Sequence, residues 1–174
     1  MENIKIRKVN LNDIEQLQTL SKQTFFETFS AANTADNMEK YLDEGFGTEK
    51  LIAELNDPAT EFYFAELGEN IIGYLKLNTN QAQTELRHEN ALEIERIYVL
   101  KEFYGKKVGQ VLLKKAIDVA REKKVGFVWL GVWDQNHRAI AFYKKNGFVA
   151  FDQHVFRLGN EEQTDLMMKL EDLA

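Results

Sequence analysis

Apolar residues alternate with polar ones in some segments of the chain and recur every three to four residues in others. Alternation is typical of half-buried strands, whereas recurrence at three and four positions is typical of one helix face. Strands are predicted at 3–9, 61–67, 71–78, 91–100, 127–133, 148–158 and 164–170. Helices are predicted after Asn10 or Asn12, at 34–42, after Thr48, at 108–124 and at 137–146. A polar loop at 159–162 would join the last two strands into a hairpin.

The predicted elements follow one another in the order β-α-α-α-β-β-β-α-β-α-β-β. The strand at 127–133 is an almost unbroken apolar run, which favours a central strand buried on both faces. Because a helix lies between it and the strand at 91–100, these two strands should be parallel in a right-handed unit. The pattern therefore predicts an α/β fold, a mixed sheet of about seven strands with flanking helices, in a single domain over 1–174.

Composition narrows the range of partners. The chain has 28 acidic and 22 basic residues and a net charge of −6, which argues against broad nucleic-acid binding. This charge fits a cationic small ligand, and it also fits the slight acidity of many cytosolic proteins. There is no cysteine, and the histidines, His88, His137 and His154, show no metal-ligand spacing, so we expect no metal. Without a secretory signal or an apolar run near the ~20 residues that span a bilayer, we expect a cytoplasmic protein with no membrane partner.

The segment 104–110 connects a predicted strand to a predicted helix and is rich in glycine and lysine. Gly105 and Gly109 allow a ligand to approach the backbone closely, and Lys106 and Lys107 add positive charge. Backbone N–H groups at a helix N-terminus are a favourable place for phosphate. Ordinary strand-to-helix loops have the same composition, so this segment alone leaves both interpretations open.

A second segment, from Asn136 to Phe148, matches the pattern Asn-x-x-Ala-x-x-Phe-Tyr-x-x-x-Gly-Phe in full. Together with the loop and the order of elements, it resembles the GNAT superfamily of acetyl-CoA-dependent N-acetyltransferases. In that family a loop of the form Gln/Arg-x-x-Gly-x-Gly/Ala holds the CoA pyrophosphate. Here Tyr104 replaces Gln/Arg, Lys107 replaces the first glycine, and Gly109 is retained.

Four stretches, 92–98, 129–133, 139–145 and 161–166, resemble PaiA-type bacterial spermidine/spermine N-acetyltransferases more closely. The last of them, Glu-Glu-Gln-Thr-Asp-Leu, is the best evidence, because the other three overlap general family motifs. The resemblance implies acetyl transfer from acetyl-CoA to a primary amine, with a polyamine such as spermidine or spermine as the first-choice acceptor. Another small amine, a protein amine or a non-catalytic CoA-binding regulatory protein are the alternatives, and a homodimer is left open.

The resemblance also implies roles for single residues. Backbone groups of Ile97, Tyr98 and Val99 would hold the pantetheine like an added strand, and one of their N–H groups would polarise the thioester carbonyl. Asn136 would bind the pantetheine arm. Tyr143 would protonate the leaving thiolate, although a lone tyrosine on a helix can also be a core residue. The implied cofactor site consists of Ile97, Tyr98, Val99, Tyr104, Gly105, Lys106, Lys107, Val108, Gly109, Gln110, Asn136, Ala139, Phe142 and Tyr143.

Carboxylates are needed because an amine with a pKa near ~10 must lose a proton before it attacks. With regular alternation, Glu93 and Glu95 share one face of their strand with Ile97 and Val99, and either glutamate could accept the proton. Each glutamate could instead simply face solvent or bind a basic side chain. Candidate contacts for a polycationic acceptor in the N-terminal helices are Glu27, Phe29, Glu39, Tyr41, Asp43 and Glu44.

Overall fold

The computed structural model describes residues 3–158 and 161–173, which form five helices and seven strands in the predicted order. These are β1 (Ile4–Lys8), α1 (Ile14–Phe29), α2 (Ala35–Gly45), α3 (Thr48–Asn56), β2 (Thr60–Leu67), β3 (Asn70–Thr79), β4 (Ala91–Val99), α4 (Val108–Glu122), β5 (Phe127–Trp133), α5 (His137–Lys145), β6 (Val149–Leu158) and β7 (Glu161–Leu170). The predicted α/β fold is thus confirmed. Of the predicted final loop, Gly159 and Asn160 lie outside the described residues, and Glu161 and Glu162 belong to β7.

The seven strands form one sheet in the order β1-β2-β3-β4-β5-β7-β6. Only the β4–β5 pair among the described strands is parallel, as the helix between them predicted. Its register runs from Ala91 with Phe127 to Ile94 with Leu130 and then stops. Beyond this point β4 stays paired with β3, and β5 stays paired with β7, so the sheet splits between β4 and β5.

A β-bulge in β4 shifts the alternation of its side chains. The register with β3 steps from Ile94 to Arg96, which leaves Glu95 as the extra residue. Ile97 and Val99 therefore pack against the same hydrophobic cluster that contains Ile94 and the inner face of α4. The sequence carries a trace of this bulge, because two consecutive polar residues, Glu95 and Arg96, interrupt the alternation between Ile94 and Ile97.

The bulge corrects one expectation about the strand glutamates. Glu93 and Glu95 do lie on one face of the sheet, since both accept hydrogen bonds from the Asn78 side chain. The expectation that Ile97 and Val99 share that face is wrong, because the alternation reverses after the bulge. The carboxylates thus lie on one face of β4, and the apolar side chains beyond the bulge lie on the other.

The core has a large cluster on the α4 face of the sheet and smaller ones on the opposite face. On the α4 face, Leu112, Leu113 and Ala116 of the helix pack against β3, β4 and β5. On the opposite face, α1 and α3 cover β2 and β3, and an aromatic cluster forms around Phe25 and Phe29 of α1. Each buried leucine or phenylalanine contributes roughly 1.5–3 kcal/mol to folding, so helices on both faces hold the split sheet in place.

Candidate active site

A cavity of about 1190 Å³ opens at the split between β4 and β5. It is lined by the parts of these strands that lie beyond the split, by the N-terminal ends of α4 and α5, by α1, and by the β6–β7 hairpin. This volume is large for a ligand pocket, and it leaves space for two ligands side by side. None of the described strands pairs with the β4 edge beyond the split, so an extended ligand can pair with its backbone.

The segment 104–110 forms one end of the cavity, which we call the phosphate cradle. Its helix, α4, has no side-chain cap, and its first turn closes with a hydrogen bond from the Val111 N–H to the Lys107 carbonyl. The N–H groups at the start of the helix therefore have no intrahelical acceptor. Their orientation at the positive end of the helix dipole favours a phosphate or pyrophosphate.

Lys107, which replaces the first glycine of the family loop, adopts a left-handed backbone with φ 65° and ψ 18°. A side chain in this conformation costs about 1–2 kcal/mol, a cost that glycine avoids. The replacement therefore keeps the left-handed turn that a glycine would make. Gly109 is accessible to a ligand, since a Cβ there would meet only the edge of the Phe142 ring, at 3.7 Å.

Arg138 is a cavity residue that the sequence analysis did not single out. Its guanidinium lies 3.8 Å from the centre of the Tyr104 ring, and both residues line the cavity. The chain thus places a cation from α5 over the position where the family loop carries Gln or Arg. Lys106, by contrast, does not line the cavity, and its ammonium lies 5.6 Å from the Phe103 ring.

The start of α5 forms a further wall of the cavity. Asn136 caps this helix, and its side-chain oxygen accepts the Ala139 N–H at 3.3 Å. Tyr143 is 6% exposed and packs between the rings of Phe142 and Phe148. Its hydroxyl makes no hydrogen bond within the described part of the chain, and burial raises its pKa. Of the predicted cofactor-binding residues, all except Lys106 line the cavity.

Three carboxylates, Glu93, Glu95 and Asp165, line the cavity along the split, and we call them the carboxylate wall. Glu93 is 3% exposed. It accepts hydrogen bonds from the Asn78 amide at 3.0 Å, from the Thr84 N–H at 2.8 Å and from the Thr84 hydroxyl. Burial raises the pKa of Glu93 even though these hydrogen bonds favour its ionised form.

Glu95, at the bulge, is held as an ion by buried basic side chains. Its carboxylate lies 2.8 Å from the Lys76 ammonium and 3.3 Å from the Arg96 guanidinium, and Asn78 donates a further hydrogen bond at 2.8 Å. Burial opposes ionisation, but the charges of Arg96 and Lys76 outweigh it and lower the pKa of Glu95 to about 2. Lys76 also pairs with Glu54 of α3, so this charge group links the helix to the bulge.

Asp165, in β7, is the member of the carboxylate wall that the sequence analysis did not assign to the site. It pairs in register with Trp133 of β5 on one side and with His154 of β6 on the other. Burial raises its pKa to about 6, an effect that His154 opposes. Asp165 lies in the Glu-Glu-Gln-Thr-Asp-Leu stretch, but only the register of the hairpin brings it to the cavity.

The polar segment between β3 and β4 folds against the carboxylate wall. Buried Gln83 accepts the Trp129 indole N–H at 2.7 Å, and the next residue, Thr84, donates to Glu93. Glu85 then reaches His154 of β6, at 3.7 Å. This segment therefore fixes the orientation of the Glu93 side chain and bridges the two sides of the split.

The N-terminal helices bring half of their predicted acceptor contacts to the cavity. Those that line it are Glu27, Phe29 and Tyr41. Glu27 also accepts the Lys101 N–H at 3.1 Å. Those that do not line it are Glu39, Asp43 and Glu44, and Asp43 lies 3.8 Å from Lys22 on the surface.

Two features are absent from the described residues. None of their helices combines the length and apolar character needed to cross a membrane. Nor does any group of three or more His, Asp or Glu side chains among residues 3–158 and 161–173 have the arrangement of a metal site.

Comparison with known proteins adds independent evidence about the family of this chain. The model of the acetyltransferase (GNAT) family matches residues 15–148. An uncharacterized N-acetyltransferase from Lactobacillus delbrueckii subsp. lactis is 38% identical over 97% of this chain and 98% of its own length. A spermidine N(1)-acetyltransferase from Thermoplasma acidophilum is 28% identical over 86% of this chain and 90% of its own. The crystal structure of PaiA N-acetyltransferase from Thermoplasma acidophilum in complex with coenzyme A superposes with a TM-score of 0.81, at 25% identity, covering 98% and 99% of the two chains.

Proposed function

We propose, from the premise that this chain belongs to the GNAT family and is an acetyl-CoA-dependent N-acetyltransferase, that its acceptor is a polyamine such as spermidine or spermine. The observation that carries this proposal is the number of carboxylates among the residues that line the cavity. Five carboxylates line it, namely Glu27, Glu85, Glu93, Glu95 and Asp165. Six basic side chains also line it, of which Lys107 and Arg138 lie beside the phosphate cradle and Arg96 pairs with Glu95. Several anionic groups in one cleft suit an acceptor with several ammonium groups. The similarity to a spermidine N(1)-acetyltransferase supports the same class of acceptor.

The residues of the cavity fit acetyl-CoA, which supplies an acetyl group activated as a thioester. The phosphate cradle would hold the pyrophosphate with backbone N–H groups, and Arg138 and Lys107 add positive charge beside it. The free edge of β4 from Ile97 to Val99 would pair with the pantetheine arm, with the Asn136 side chain nearby. Tyr143, whose hydroxyl is free to donate, would protonate the thiolate as it leaves.

The two strand glutamates suit different tasks. Glu95 is a poor proton acceptor near neutral pH, because Arg96 and Lys76 hold its pKa at about 2. Glu93, with a raised pKa, is the better acceptor of the two. Glu95 instead neutralises two buried cations and so keeps the bulged part of β4 in shape.

Aromatic rings extend the acceptor part of the cavity. The rings of Phe29 and Trp133 lie 5.6 Å apart between their centres, and both residues line the cavity near Asp165. Aromatic faces attract alkylammonium groups, with a gain of about 0.5–2 kcal/mol each. These rings would therefore hold the methylene chain and the ammonium groups of a polyamine.

An acceptor screen tests the proposal. The purified protein would be assayed with acetyl-CoA and with spermidine, spermine, a monoamine of similar length or a peptide amine, measuring thiol release and product mass. We expect kcat/KM for the polyamines to exceed that of the monoamine by about tenfold for each additional ammonium contact worth about 1.4 kcal/mol. A higher kcat/KM for a monoamine or peptide amine would contradict the polyamine proposal, as would release no faster than the amine-free blank.

A further inference from the structure

We infer that Asp165, rather than either glutamate of β4, takes the proton from the attacking amine. This inference rests on the acetyl transfer to an amine described above, but not on that amine being a polyamine. It assigns a catalytic role to a residue outside the two segments that match the family motifs.

The Asp165 carboxylate lies at the apex of the split in the sheet. Gly131 is the first residue of β5 beyond the last β4–β5 pair. A Cβ on Gly131 would lie 3.6 Å from the Asp165 Oδ2 and 3.7 Å from the His154 ring. Because glycine has no side chain, β5 leaves this space open, and the Asp165 carboxylate lies directly beside the point where the two strands separate.

The availability of its oxygen atoms distinguishes Asp165 from the rest of the carboxylate wall. Glu93 has both oxygens engaged by Asn78 and Thr84, and Glu95 is bound by Lys76 and Asn78 on one oxygen and by Arg96 on the other. The Asp165 side chain makes no hydrogen bond within residues 3–158 and 161–173. It can therefore accept a proton without first losing a partner.

The surroundings of Asp165 favour proton acceptance. The titratable groups that interact with it electrostatically are His154 of β6, Asp134 at the end of β5 and Tyr41 of α2, and Glu85 of the β3–β4 segment contacts His154 in turn. Burial raises the pKa of Asp165 to about 6, against about 2 for Glu95. At equal distance from the amine, Asp165 is therefore the stronger proton acceptor of the two.

The step balances with groups already in the cavity. The ammonium gives one proton to Asp165, and the freed lone pair on nitrogen forms the new C–N bond to the acetyl carbon. As the C–S bond breaks, its electron pair stays on sulfur, which takes the Tyr143 proton. The nitrogen releases its second proton to restore the Tyr143 hydroxyl, and Asp165 returns its proton to solvent.

The test compares Asp165→Asn with Glu93→Gln and with a matched control, Asp152→Asn, on exposed β6 outside the cavity. With the best acceptor from the screen, kcat is measured from pH 5 to pH 10 together with acetyl-CoA affinity. We expect Asp165→Asn to lower kcat about 10²- to 10⁴-fold at pH 7, and the deficit to shrink toward pH 10, where the amine is already deprotonated in solution. Acetyl-CoA affinity and the Asp152→Asn variant should stay within about twofold of wild type.

A small carboxylate provides a second readout. In Asp165→Ala, added formate should occupy the vacated space and restore part of the lost activity. If neither variant folds, the profiles of wild type and Glu93→Gln decide, because kcat should fall below about pH 6 in both if Asp165 accepts the proton. A pH-independent deficit, no deficit, absence of formate rescue in a folded Ala variant, or a pH-dependent deficit confined to Glu93→Gln would each overturn the inference. If the screen instead finds a non-polyamine acceptor, the polyamine proposal fails and the same comparison is made with that amine.

Discussion

The phosphate cradle and the carboxylate wall lie at the same cavity, but they are built from different parts of the chain. The cradle consists of backbone N–H groups in one continuous segment, 104–110, at the start of α4. The wall consists of side chains from β4 and β7, placed by a bulge and by hairpin register. The first depends on local conformation, and the second depends on long-range packing and on charge balance.

This difference determines how each region responds to substitution. In the cradle the side chains can change as long as the backbone keeps its turn, which is why Lys107 and Tyr104 can stand where the family carries other residues. In the wall each carboxylate has its own environment, from the ion-paired Glu95 to Asp165, whose side chain makes no hydrogen bond to the described part of the chain. Substitutions in the wall should therefore have larger effects than substitutions in the cradle.

The largest effect on stability is expected at Glu95. The Glu95→Gln substitution leaves Lys76 and Arg96 with one carboxylate fewer in a buried site, and an unbalanced buried charge of this kind costs about 3–5 kcal/mol. Urea unfolding monitored by circular dichroism measures the change. The matched control is Glu162→Gln, whose exposed pair with Arg157 should contribute at most about 1 kcal/mol. Equal losses in the two variants would show that the charge group does not stabilise the bulge.

The next largest effect is expected at Tyr143, which lies in the same cavity as the cradle and the wall. We expect Tyr143→Phe to lower kcat by about 10²-fold or more, because the thiolate would lose its proton donor. Acetyl-CoA affinity should change little, since the ring remains packed against Phe142 and Phe148. Stopped-flow thiol release and calorimetric titration separate the two quantities.

The control for the tyrosine is Tyr63→Phe, which removes a hydroxyl bonded to Glu61 away from the cavity and should keep kcat. An unchanged kcat in Tyr143→Phe would rule out the acid role. A parallel loss of acetyl-CoA affinity would instead assign the hydroxyl to binding.

The order of elements and the cradle could be predicted from the sequence because both depend on local patterns. The strand at 127–133 and the motif from Asn136 to Phe148 lie within single elements or single turns, where apolar period and glycine position carry the information. The stacking of Arg138 on Tyr104 was not predictable, since it joins the loop before α4 to the first turn of α5, and their approach is set by the packing of the two helices.

The carboxylate wall was predicted only in part, for a physical reason. Glu93 and Glu95 were identified from alternation along one strand, but their different surroundings arise from Asn78, Thr84 and Lys76 in other segments. Asp165 reaches the cavity only through the β5–β7–β6 register. The periodicity of one strand does not determine which residues of the neighbouring strand lie opposite it.

The pH dependence of the free energy of unfolding distinguishes Asp165 from carboxylates that are paired with a basic side chain. The pKa of Asp165 is about 6 in the folded protein against an ordinary value of 3.8, so its ionisation destabilises the fold. This destabilisation is absent below about pH 4, where the carboxyl is neutral in both states, and it is complete once the pH has risen through about 6. Asp165→Asn should therefore be more stable than wild type at pH 7, by up to about 3 kcal/mol, and the gain should vanish near pH 4.

Asp13 provides a control, because its substitution should change the stability at pH 7 in the opposite direction. The hydrogen bond from Arg7 lowers the pKa of Asp13, so its contribution is present at neutral pH and is lost as pH falls through the lowered value. Asp13→Asn should be less stable than wild type at pH 7, with a deficit that shrinks on acidification. Thermal melts from about pH 2 to pH 8 would measure both. A loss of stability at pH 7 in Asp165→Asn would mean that the carboxylate has a structural role in the folded protein.

The smallest effect is expected in the cradle, at Lys107. Replacing it with glycine removes a left-handed strain of about 1–2 kcal/mol but adds about 0.4–1 kcal/mol of chain entropy to the unfolded state. Lys107→Gly should therefore gain about 0.5–1 kcal/mol in denaturant unfolding, whereas Lys106→Gly, at a residue without positive φ, should lose a similar amount. Similar losses in both variants would show that backbone conformation does not set the cost of side chains in the cradle. Opposite signs would support a cradle shaped by its backbone, in contrast to a wall shaped by its side chains.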